Sequence, residues 1–331
     1  MKRLAGWRGV LGLTTFACLL GGLTMRATQI HPFSDFSGDG FSDFAIVRNT
    51  GGGPTGGITW WISNAQTSAA TSAGWGIATD FFVPGDYDGD GKDEVAIWRS
   101  GAVGTAGFWV KRSSDGVTVF TPFGVSGDDP TITGDYDGDG KCDYAVYRAG
   151  ASAGAPSYWW IKQSSNGAVV AVNWGQNGDF VAPGDYDNDG KNDFVIQRNA
   201  GGGNANFFIR YATGAVQTIM FGTPTDVIVP GDYDGDHKTD IAIVRGSSGQ
   251  IIWWVRSSLT GLVSSTSWGA SATDFVAQGD FDGDGKTDKA VWRPDVNPGA
   301  SAFYVLRSSG GVTTRAWGQN GDYPVANWNT H

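Results

Sequence analysis

The segment GDYDGDGKDE, which spans residues 85–94, decides the fold, because close copies of it recur along the chain. In its cleanest form the copy reads D-x-D-x-D-G-x-x-D, and successive copies begin about fifty residues apart. Their first residues are Asp35, Asp86, Asp135, Asp185, Asp232 and Asp280. Six repeats of one unit therefore extend from residue 35 almost to the end of the chain. Such periodicity indicates units that bury their apolar faces against their neighbours.

Each repeat continues with features that predict strands. A short alternating run ending in Arg follows the acidic loop, as in AIWR at 96–99. An aromatic pair comes next, and a run closing in WG or FG completes the unit. Period-two alternation, β-branched and aromatic residues, and frequent Gly, Ser and Asn turns are all typical of strands. Four strands in about fifty residues predict an all-β, six-bladed β-propeller of four-stranded antiparallel blades.

The two ends of the repeat region predict that the ring is closed. The first repeat starts at its acidic loop and lacks the strand that precedes this loop in the other repeats. WGQNGDYPV at 317–325 parallels WGQNGDFVA at 174–182 and supplies the missing part. We therefore expect the C-terminal strand to complete the N-terminal blade within a single propeller domain at 28–331. A linear β-solenoid is the alternative, but its usual repeats are shorter.

The amino-terminal residues predict export. Lys2, Arg3 and Arg8 precede an uncharged apolar run at 10–23, which is typical of a signal peptide. We assign this signal to residues 1–27 and expect a secreted, extracellular or cell-surface protein. A retained anchor helix and a lipoprotein modified at Cys18 are the alternatives. No second apolar stretch is long enough to cross a bilayer, so we expect no transmembrane segment in the mature chain.

Composition excludes other classes of protein. The 331 residues are 40% hydrophobic and 13% aromatic, which supports a packed core and excludes wholesale disorder. The formal net charge of −10 argues against nucleic-acid binding, which needs basic patches. Beyond the leader, Cys142 is the only thiol, so an internal disulfide is not expected. Something else must hold the fold together outside the cell.

The acidic loops predict metal sites. Carboxylates at positions 1, 3, 5 and 9 of one tight loop repel each other unless a cation lies between them, and the carbonyl of position 7 can add an oxygen ligand. Calcium fits this all-oxygen set better than magnesium, and zinc would require the His and Cys residues that are scarce here. We expect up to six calcium ions. The candidate ligand residues are Asp35, Ser37, Asp39, Phe41 and Asp43; Asp86, Asp88, Asp90, Lys92 and Glu94; Asp135, Asp137, Asp139, Lys141 and Asp143; Asp185, Asp187, Asp189, Lys191 and Asp193; Asp232, Asp234, Asp236, Lys238 and Asp240; and Asp280, Asp282, Asp284, Lys286 and Asp288.

Two loops depart from the pattern and are expected to bind metal most weakly. Ser37 replaces the second carboxylate of the first loop. His237 takes the place of the glycine at position 6 of the fifth loop, where the backbone is expected to have positive φ. A side chain in that conformation costs about 1 kcal/mol.

The acidic loop, the AVxR-like run and the WG..GD segment together resemble the FG-GAP/VCBS family of calcium-binding propeller repeats, which includes integrin α-chain heads and some propeller lectins. The resemblance covers residues 35 to about 328. It implies a calcium-stabilised propeller that binds proteins or glycans outside the cell. This chain has shorter repeats than integrin blades and six copies rather than seven.

Other recurring residues have structural interpretations. One Arg and one Asp per repeat indicate an ion pair between strands or blades; we assign these to Arg48, Arg99, Arg148, Arg198, Arg245 and Arg293, and to Asp80, Asp129, Asp179, Asp226, Asp274 and Asp322. The aromatic pairs and the WG or FG aromatics are expected to pack in the core, although sugar stacking is an alternative. Trp328 is a candidate exposed aromatic. The Gly-rich stretches after each Arg are where we expect a ligand.

These features predict a non-enzymatic interaction or adhesion module whose partner is an extracellular protein or glycan. The three histidines, His31, His237 and His331, are not accompanied by a recognisable triad, and the catalytic sequence motifs of hydrolases and metalloproteases are missing from the sequence. A calcium-dependent lectin and a polysaccharide-active enzyme on a propeller scaffold are the alternatives. The sequence does not indicate the ligand or the oligomeric state.

Overall fold

The computed structural model describes residues 32–325, which form short strands separated by turns. The strands are β1 (Phe44–Asn49), β2 (Gly57–Ser63), β3 (Ala70–Ile77), β4 (Phe81–Phe82), β5 (Val95–Arg99), β6 (Gly107–Lys111), β7 (Thr118–Pro122), β8 (Tyr144–Arg148), β9 (Pro156–Lys162), β10 (Val169–Gln176), β11 (Phe180–Val181), β12 (Phe194–Gly201), β13 (Asn204–Arg210), β14 (Val216–Met220), β15 (Val227–Ile228), β16 (Ile241–Ser247), β17 (Gln250–Arg256), β18 (Val263–Ala270), β19 (Phe275–Val276), β20 (Lys289–Arg293), β21 (Ala302–Leu306), β22 (Val312–Ala316) and β23 (Tyr323–Pro324).

These strands form the six blades of a β-propeller, as the repeat predicted. Blades 2, 4, 5 and 6 each contain four consecutive antiparallel strands, from a two-residue inner strand to an exposed outer strand. Blade 1 has the order β23-β1-β2-β3. No helix occurs among residues 32–325. The all-β prediction is therefore confirmed over the described part of the chain.

The inner strand of blade 3 is reduced to a single bridge. Asp129 and Tyr147 exchange both backbone hydrogen bonds, and the regular sheet of this blade contains only β8, β9 and β10. The ladder stops there because Thr131 N–H donates to Asp129 Oδ1 at 2.9 Å, whereas the equivalent Val325 N–H of blade 1 donates to the carbonyl of Ala45.

The ring is closed by the ends of the described chain. Ile46 and Val47 of β1 pair with Pro324 and Tyr323 of β23. The core continues across the same join, because Phe44 and Ile46 lie in one apolar cluster with Trp292 of blade 6. The predicted completion of the first blade by the C-terminal strand is confirmed.

The aromatic pairs on the third strand of each blade build the core, in line with the core-packing interpretation. The first member is almost fully buried in every blade: Trp60, Phe108, Trp159, Phe207, Trp253 and Phe303. The second member is partly exposed and packs against the preceding blade, as Trp109 does against the cluster of blade 1. One residue thus fills its own blade, and its neighbour joins that blade to the one before it.

No helix in residues 32–325 has the length and apolar character needed to cross a membrane. The predicted signal peptide at 1–27 and the candidate exposed residue Trp328 lie outside the described residues.

Candidate metal centres

The first aspartate of each acidic loop organises the loop backbone. In blade 2, Asp86 Oδ1 accepts a hydrogen bond from Gly89 N–H at 2.6 Å, and Asp86 Oδ2 accepts one from Gly91 N–H at 2.9 Å. A short side chain that binds the backbone a few residues ahead is what makes Asp suitable at this turn. The corresponding first aspartates of the other loops bind N–H groups in the same way.

Positions 4 and 6 of the loops adopt positive φ, which explains the glycines there. Two loops place another residue in this conformation: Asn188 at position 4 has φ 64° and His237 at position 6 has φ 65°. The sequence predicted the strained conformation of His237. His237 N–H still donates to Asp232 Oδ2 at 2.8 Å, so the fifth loop keeps the shape of the others.

The carboxyl group at position 9 lies beneath each loop and is buried. Glu94 Oε2 accepts Tyr87 N–H at 2.7 Å, and Glu94 Oε1 accepts Ser113 N–H at 3.0 Å. The pKa of Glu94 is raised to about 7, and burial is the largest cause. The charge of Asp88 also raises this pKa, whereas the hydrogen bonds from Ser113 and Tyr87 lower it. Burial is also the largest cause of the raised pKa values at the equivalent residues, which reach about 7 at Asp43 and Asp193 and about 6 at Asp143, Asp240 and Asp288.

Carboxylate oxygens converge in five of the six loops. Each group offers ligand atoms that all lie within 4.8 Å of one another. The groups are Asp86, Asp88, Asp90 and Glu94; Asp135, Asp137 and Asp143; Asp185, Asp187 and Asp193; Asp232, Asp234 and Asp240; and Asp280, Asp282 and Asp288. The structure thus brings together the predicted side chains of positions 1, 3 and 9, and in blade 2 that of position 5 as well.

In the described part of the chain, three of the loops contain a buried carboxylate oxygen at position 3 that has no hydrogen-bond donor, and such an oxygen indicates whether a cation fits the loop. Asp88 Oδ1, Asp187 Oδ1 and Asp282 Oδ1 are buried, and each lacks a hydrogen-bond donor within the described structure. An unsatisfied buried polar atom is unfavourable, and for a carboxylate oxygen a cation is as suitable a partner as a donor. The all-oxygen donor set fits a hard divalent ion. The sites therefore fit such a metal, and the predicted use of the position 7 carbonyls stays a prediction.

Serine hydroxyls support the loop carboxylates from outside, and sequence reasoning missed them. In blade 2, Ser113 Oγ donates to Asp90 Oδ2 at 2.7 Å and Ser114 Oγ donates to Asp88 Oδ2 at 2.6 Å. Serine pairs in blades 3, 5 and 6 contact positions 3 and 5 in the same manner. The signal in the sequence is the recurring SS after the aromatic pair.

The first loop is arranged differently from the other five. Its position 3 is Ser37, and no group of three clustered carboxylates is found there in the described structure. Asp43 is 2% exposed, and its Oδ2 lacks a hydrogen-bond partner among the described residues. Asn64, from the end of β2, lies against this loop.

A ring of backbone hydrogen bonds joins each loop to the next blade. The N–H of position 8 in one loop donates to the carbonyl of position 1 in the preceding loop, with N to O distances of 2.5–2.8 Å. The pairs are Asp93–Asp35, Cys142–Asp86, Asn192–Asp135, Thr239–Asp185, Thr287–Asp232 and Ser42–Asp280. The last pair closes the circle between blades 6 and 1. Position 8 lies between two predicted ligand positions, so neighbouring candidate sites are directly connected.

The recurring Arg and Asp residues form bidentate ion pairs. Arg99 Nε and Nη2 each lie 2.7 Å from an oxygen of Asp80, whose side chain is fully buried. Some guanidinium groups also stack on the second aromatic residue of their own blade, as Arg48 does 5.3 Å from the centroid of the Trp61 ring. These contacts agree with the predicted structural role.

One of the predicted pairs was assigned to the wrong aspartate. Arg148 binds Asp128 at 2.7 Å, and Asp129 instead accepts hydrogen bonds from Thr131. Blade 3 has one extra residue between this aspartate and its acidic loop. Alignment of the repeats on their acidic loops therefore predicted Asp129 as the partner of Arg148. Alignment on the glycine of the WG or FG motif, which is Gly124 in blade 3, predicts Asp128.

The channel at the centre of the ring is a cavity of about 430 Å³ with a mixed polar and apolar lining. Residues next to the acidic loops line it, among them Asn192, Thr239, Thr287 and Gln278. Gln278 is 4% exposed, and its Nε2 lacks a hydrogen-bond acceptor among the described residues. A lone unpaired amide in a wide channel does not define a ligand.

A comparison with known protein families agrees with the repeat. Residues 232–291 match the family model of the FG-GAP-like repeat. A comparison with curated proteins gives no significant match.

The solved structures that match this chain share little sequence with it, and their TM-scores are below 0.5. A rhamnogalacturonan lyase, YesW, is 13% identical with a TM-score of 0.35; the match covers 84% of this chain and 64% of the lyase, which is less than two thirds of that protein. A candidate 6-phosphogluconolactonase from Bacteroides fragilis is 12% identical with a TM-score of 0.45, covering 89% of this chain and 97% of that one. A Lactobacillus plantarum protein is 12% identical with a TM-score of 0.35, covering 86% and 82%. The chain is a six-bladed β-propeller that contains an FG-GAP-like repeat.

Proposed function

We propose that this protein is a secreted, calcium-stabilised β-propeller that acts as a non-enzymatic interaction or adhesion module outside the cell or at its surface. The observation that carries the proposal is the convergence of carboxylate oxygens in five loops, some of them buried without a donor. The match of residues 232–291 to the FG-GAP-like repeat supports the scaffold, and the resemblance to the FG-GAP/VCBS family implies binding of proteins or glycans outside the cell.

The chemistry of the donor set favours calcium. Side chains of positions 1, 3, 5 and 9 would hold the ion, with the carbonyl of position 7 as a further ligand. Magnesium keeps more of its water and uses fewer carboxylates, whereas zinc prefers nitrogen and sulfur ligands. The ion supplies positive charge where several carboxylates would otherwise repel. Because it binds only the folded loops, it stabilises the fold by mass action.

The interaction surface in this proposal is the face opposite the acidic loops. The connection between the second and third strands of each blade lies at the other end of the second strand from its loop. These connections differ in length and sequence from blade to blade, and Val103 and Val296 in them are 85% and 82% exposed. Binding residues are often carried by loops on a rigid scaffold. Their mostly small, uncharged residues, which include no Lys or Arg, suit an extracellular protein or glycan as the partner, with no role for nucleic acid.

The metal part of the proposal is tested by melting. Protein freed of metal by dialysis against chelator, then against metal-free buffer, is compared in the presence and absence of 1 mM calcium. We expect a melting temperature higher by several degrees with calcium and a smaller rise with magnesium. An unchanged melting temperature, together with no bound metal by elemental analysis, would contradict a stabilising role for calcium.

The interaction part is tested by binding. The labelled protein is applied to a glycan array and to immobilised extracellular matrix proteins, with and without chelator. We expect calcium-dependent binding to at least one surface and no release of products in parallel turnover assays with polysaccharides. Polysaccharide cleavage would replace the proposal with the enzymatic alternative.

A further inference from the structure

The first acidic loop is held by a side-chain amide that has no counterpart in the other blades. Asn64 Nδ2 lies 2.9 Å from Ser37 Oγ, 2.6 Å from Asp39 Oδ2 and 3.3 Å from Asp43 Oδ1. A single nitrogen atom therefore contacts the side chains at positions 3, 5 and 9, which are ligand positions in the other loops.

The orientation of this amide is fixed by its other end. Asn64 Oδ1 accepts hydrogen bonds from Thr67 N–H at 2.6 Å and from Thr67 Oγ1 at 2.7 Å. Rotating the amide by half a turn would break both bonds and place Oδ1 against two carboxylates. The hydrogen-bond network thus assigns the NH₂ group to the acidic loop.

In the described structure, none of the equivalent residues of the other blades contacts positions 3, 5 and 9 of its loop together. The residue after each of them donates its N–H to the position 9 carboxylate, as Ala65 does to Asp43. By this criterion the equivalents of Asn64 are Arg112, Gln163, Tyr211, Ser257 and Arg307. Ser257 contacts its loop through Asp234 Oδ2, and Arg112 is paired with Asp115 outside the loop.

We propose that the first loop takes no divalent cation and is closed instead by the Asn64 amide. Ser37 removes one negative charge, and the two N–H bonds of Nδ2 supply donors where the oxygens converge. Asp43 Oδ2, at position 9, is the carboxylate oxygen of this loop that stays buried without a partner among the described residues. An ion entering this loop would have to displace Asn64 from three contacts. The first blade, which closes the ring through β23, would then keep its loop in shape without metal. This inference rests on the proposed binding of calcium by the other five loops.

The number of bound ions tests the proposal. The full chain is dialysed to equilibrium against calcium, and bound calcium per chain is measured by elemental analysis. We expect five ions for the wild type, one for each carboxylate group. Asn64→Asp should raise the number to six, because the new carboxylate keeps the Thr67 contacts and supplies an oxygen in place of the donor. Asp234→Ala, which removes the position 3 oxygen ligands of the fifth loop, should lower it to four.

A metal-free measurement keeps the test independent of calcium. Without metal, Asn64→Asp should lower the melting temperature by about 2 °C or more, since it places a third carboxylate against Asp39 and Asp43. Asn166→Asp, the same change in an exposed turn of blade 3, should leave it unchanged. Six ions on the wild type would overturn the proposal, as would a folded Asn64→Asp protein with five ions and an unchanged metal-free melting temperature. No ions on the wild type would refute the proposed calcium role, while the metal-free comparison would still test the amide.

Discussion

Arg48 Nε lies 2.7 Å from Asp322 Oδ1, although the two residues are 274 positions apart in the chain. The same bidentate contact joins residues only 19 positions apart in blades 2, 4, 5 and 6. A contact that is local in those blades therefore closes the whole ring in blade 1.

Breaking this contact should loosen the closure. Asp322→Asn leaves Arg48 without its charged partner at a site where the aspartate side chain is fully buried. Removing one partner of a buried pair costs about 3 kcal/mol, and urea unfolding followed by tryptophan fluorescence should show this loss. Amide exchange in β1 should also increase, because β23 is anchored next to Asp322.

The matched control is Asp226→Asn, which breaks the equivalent pair inside blade 5. It should cost a similar free energy of unfolding without increasing amide exchange in β1. Equal exchange in β1 for both variants would contradict a special role of Arg48 and Asp322 in closure.

Replacing a single loop carboxylate by an amide should affect the melting temperature differently in the presence and in the absence of calcium. Asp282 Oδ1 is buried and unpaired, and Asp282 faces the other carboxylates of the sixth loop. Asp282→Asn removes repulsion, so the metal-free protein should melt at the same or a higher temperature. With calcium, the variant should melt below the wild type, because one site is weakened. Asp115→Asn, in an exposed turn, is the control. A variant that melts lower than the wild type in both conditions would argue against metal between these carboxylates.

The metal-free protein should become less stable as the pH rises from about 4 to about 7. The position 9 carboxyls have pKa values raised to about 6 or 7 by burial, against about 4 in an unfolded chain. The folded state therefore binds more protons over this range, and the free energy of unfolding falls as they are released.

Thermal melting of metal-free protein at pH 5.0 and 7.5 checks the sign, with the higher melting temperature expected at pH 5.0. The metal is removed by dialysis beforehand, since chelators weaken as the pH falls. Calcium should reduce the difference, because it compensates the charge at the higher pH. A metal-free melting temperature that rises with pH in this interval would contradict the burial of these groups.

The glycine before five of the six loops should resist substitution, because the next blade approaches it closely. A Cβ on Gly134 would lie 1.8 Å from Asn192 Nδ2 of the following blade. Gly134→Ala should therefore cost about 1–3 kcal/mol through overpacking, measured by urea unfolding. Adding Asn192→Ala removes the obstructing amide and should restore part of the loss. Gly74→Ala, with open space around its Cβ, should be neutral or slightly stabilising.

The regular features of this fold were predictable because they repeat. The acidic loops, the strand pattern and the completion of blade 1 by β23 each follow from residues that recur with the same spacing. The strain at His237 was predictable for the same reason, since the other loops have Gly there. Periodicity also indicated one ion pair per blade, although the extra residue in blade 3 shifted that pair to Asp128.

The features that were missed depend on residues or groups that do not repeat in sequence. Asn64 acts on the first loop because the end of β2 brings it there, and no spacing rule distinguishes it from another turn residue. The hydrogen bonds that join the loops use backbone N–H and C=O groups, which every residue has. Their only trace in the sequence is the glycine before most loops, where the side chain of the next blade leaves no room for a Cβ.

The circle of hydrogen bonds from Asp35 around to Ser42 has a consequence for how the protein unfolds. A linear array of repeats can fray from its terminal units, which contact only one neighbour. Here every blade has two neighbours, so no unit is a weak starting point. Unfolding of one blade would remove packing contacts from both of its neighbours at once. The six blades should therefore melt as one cooperative unit.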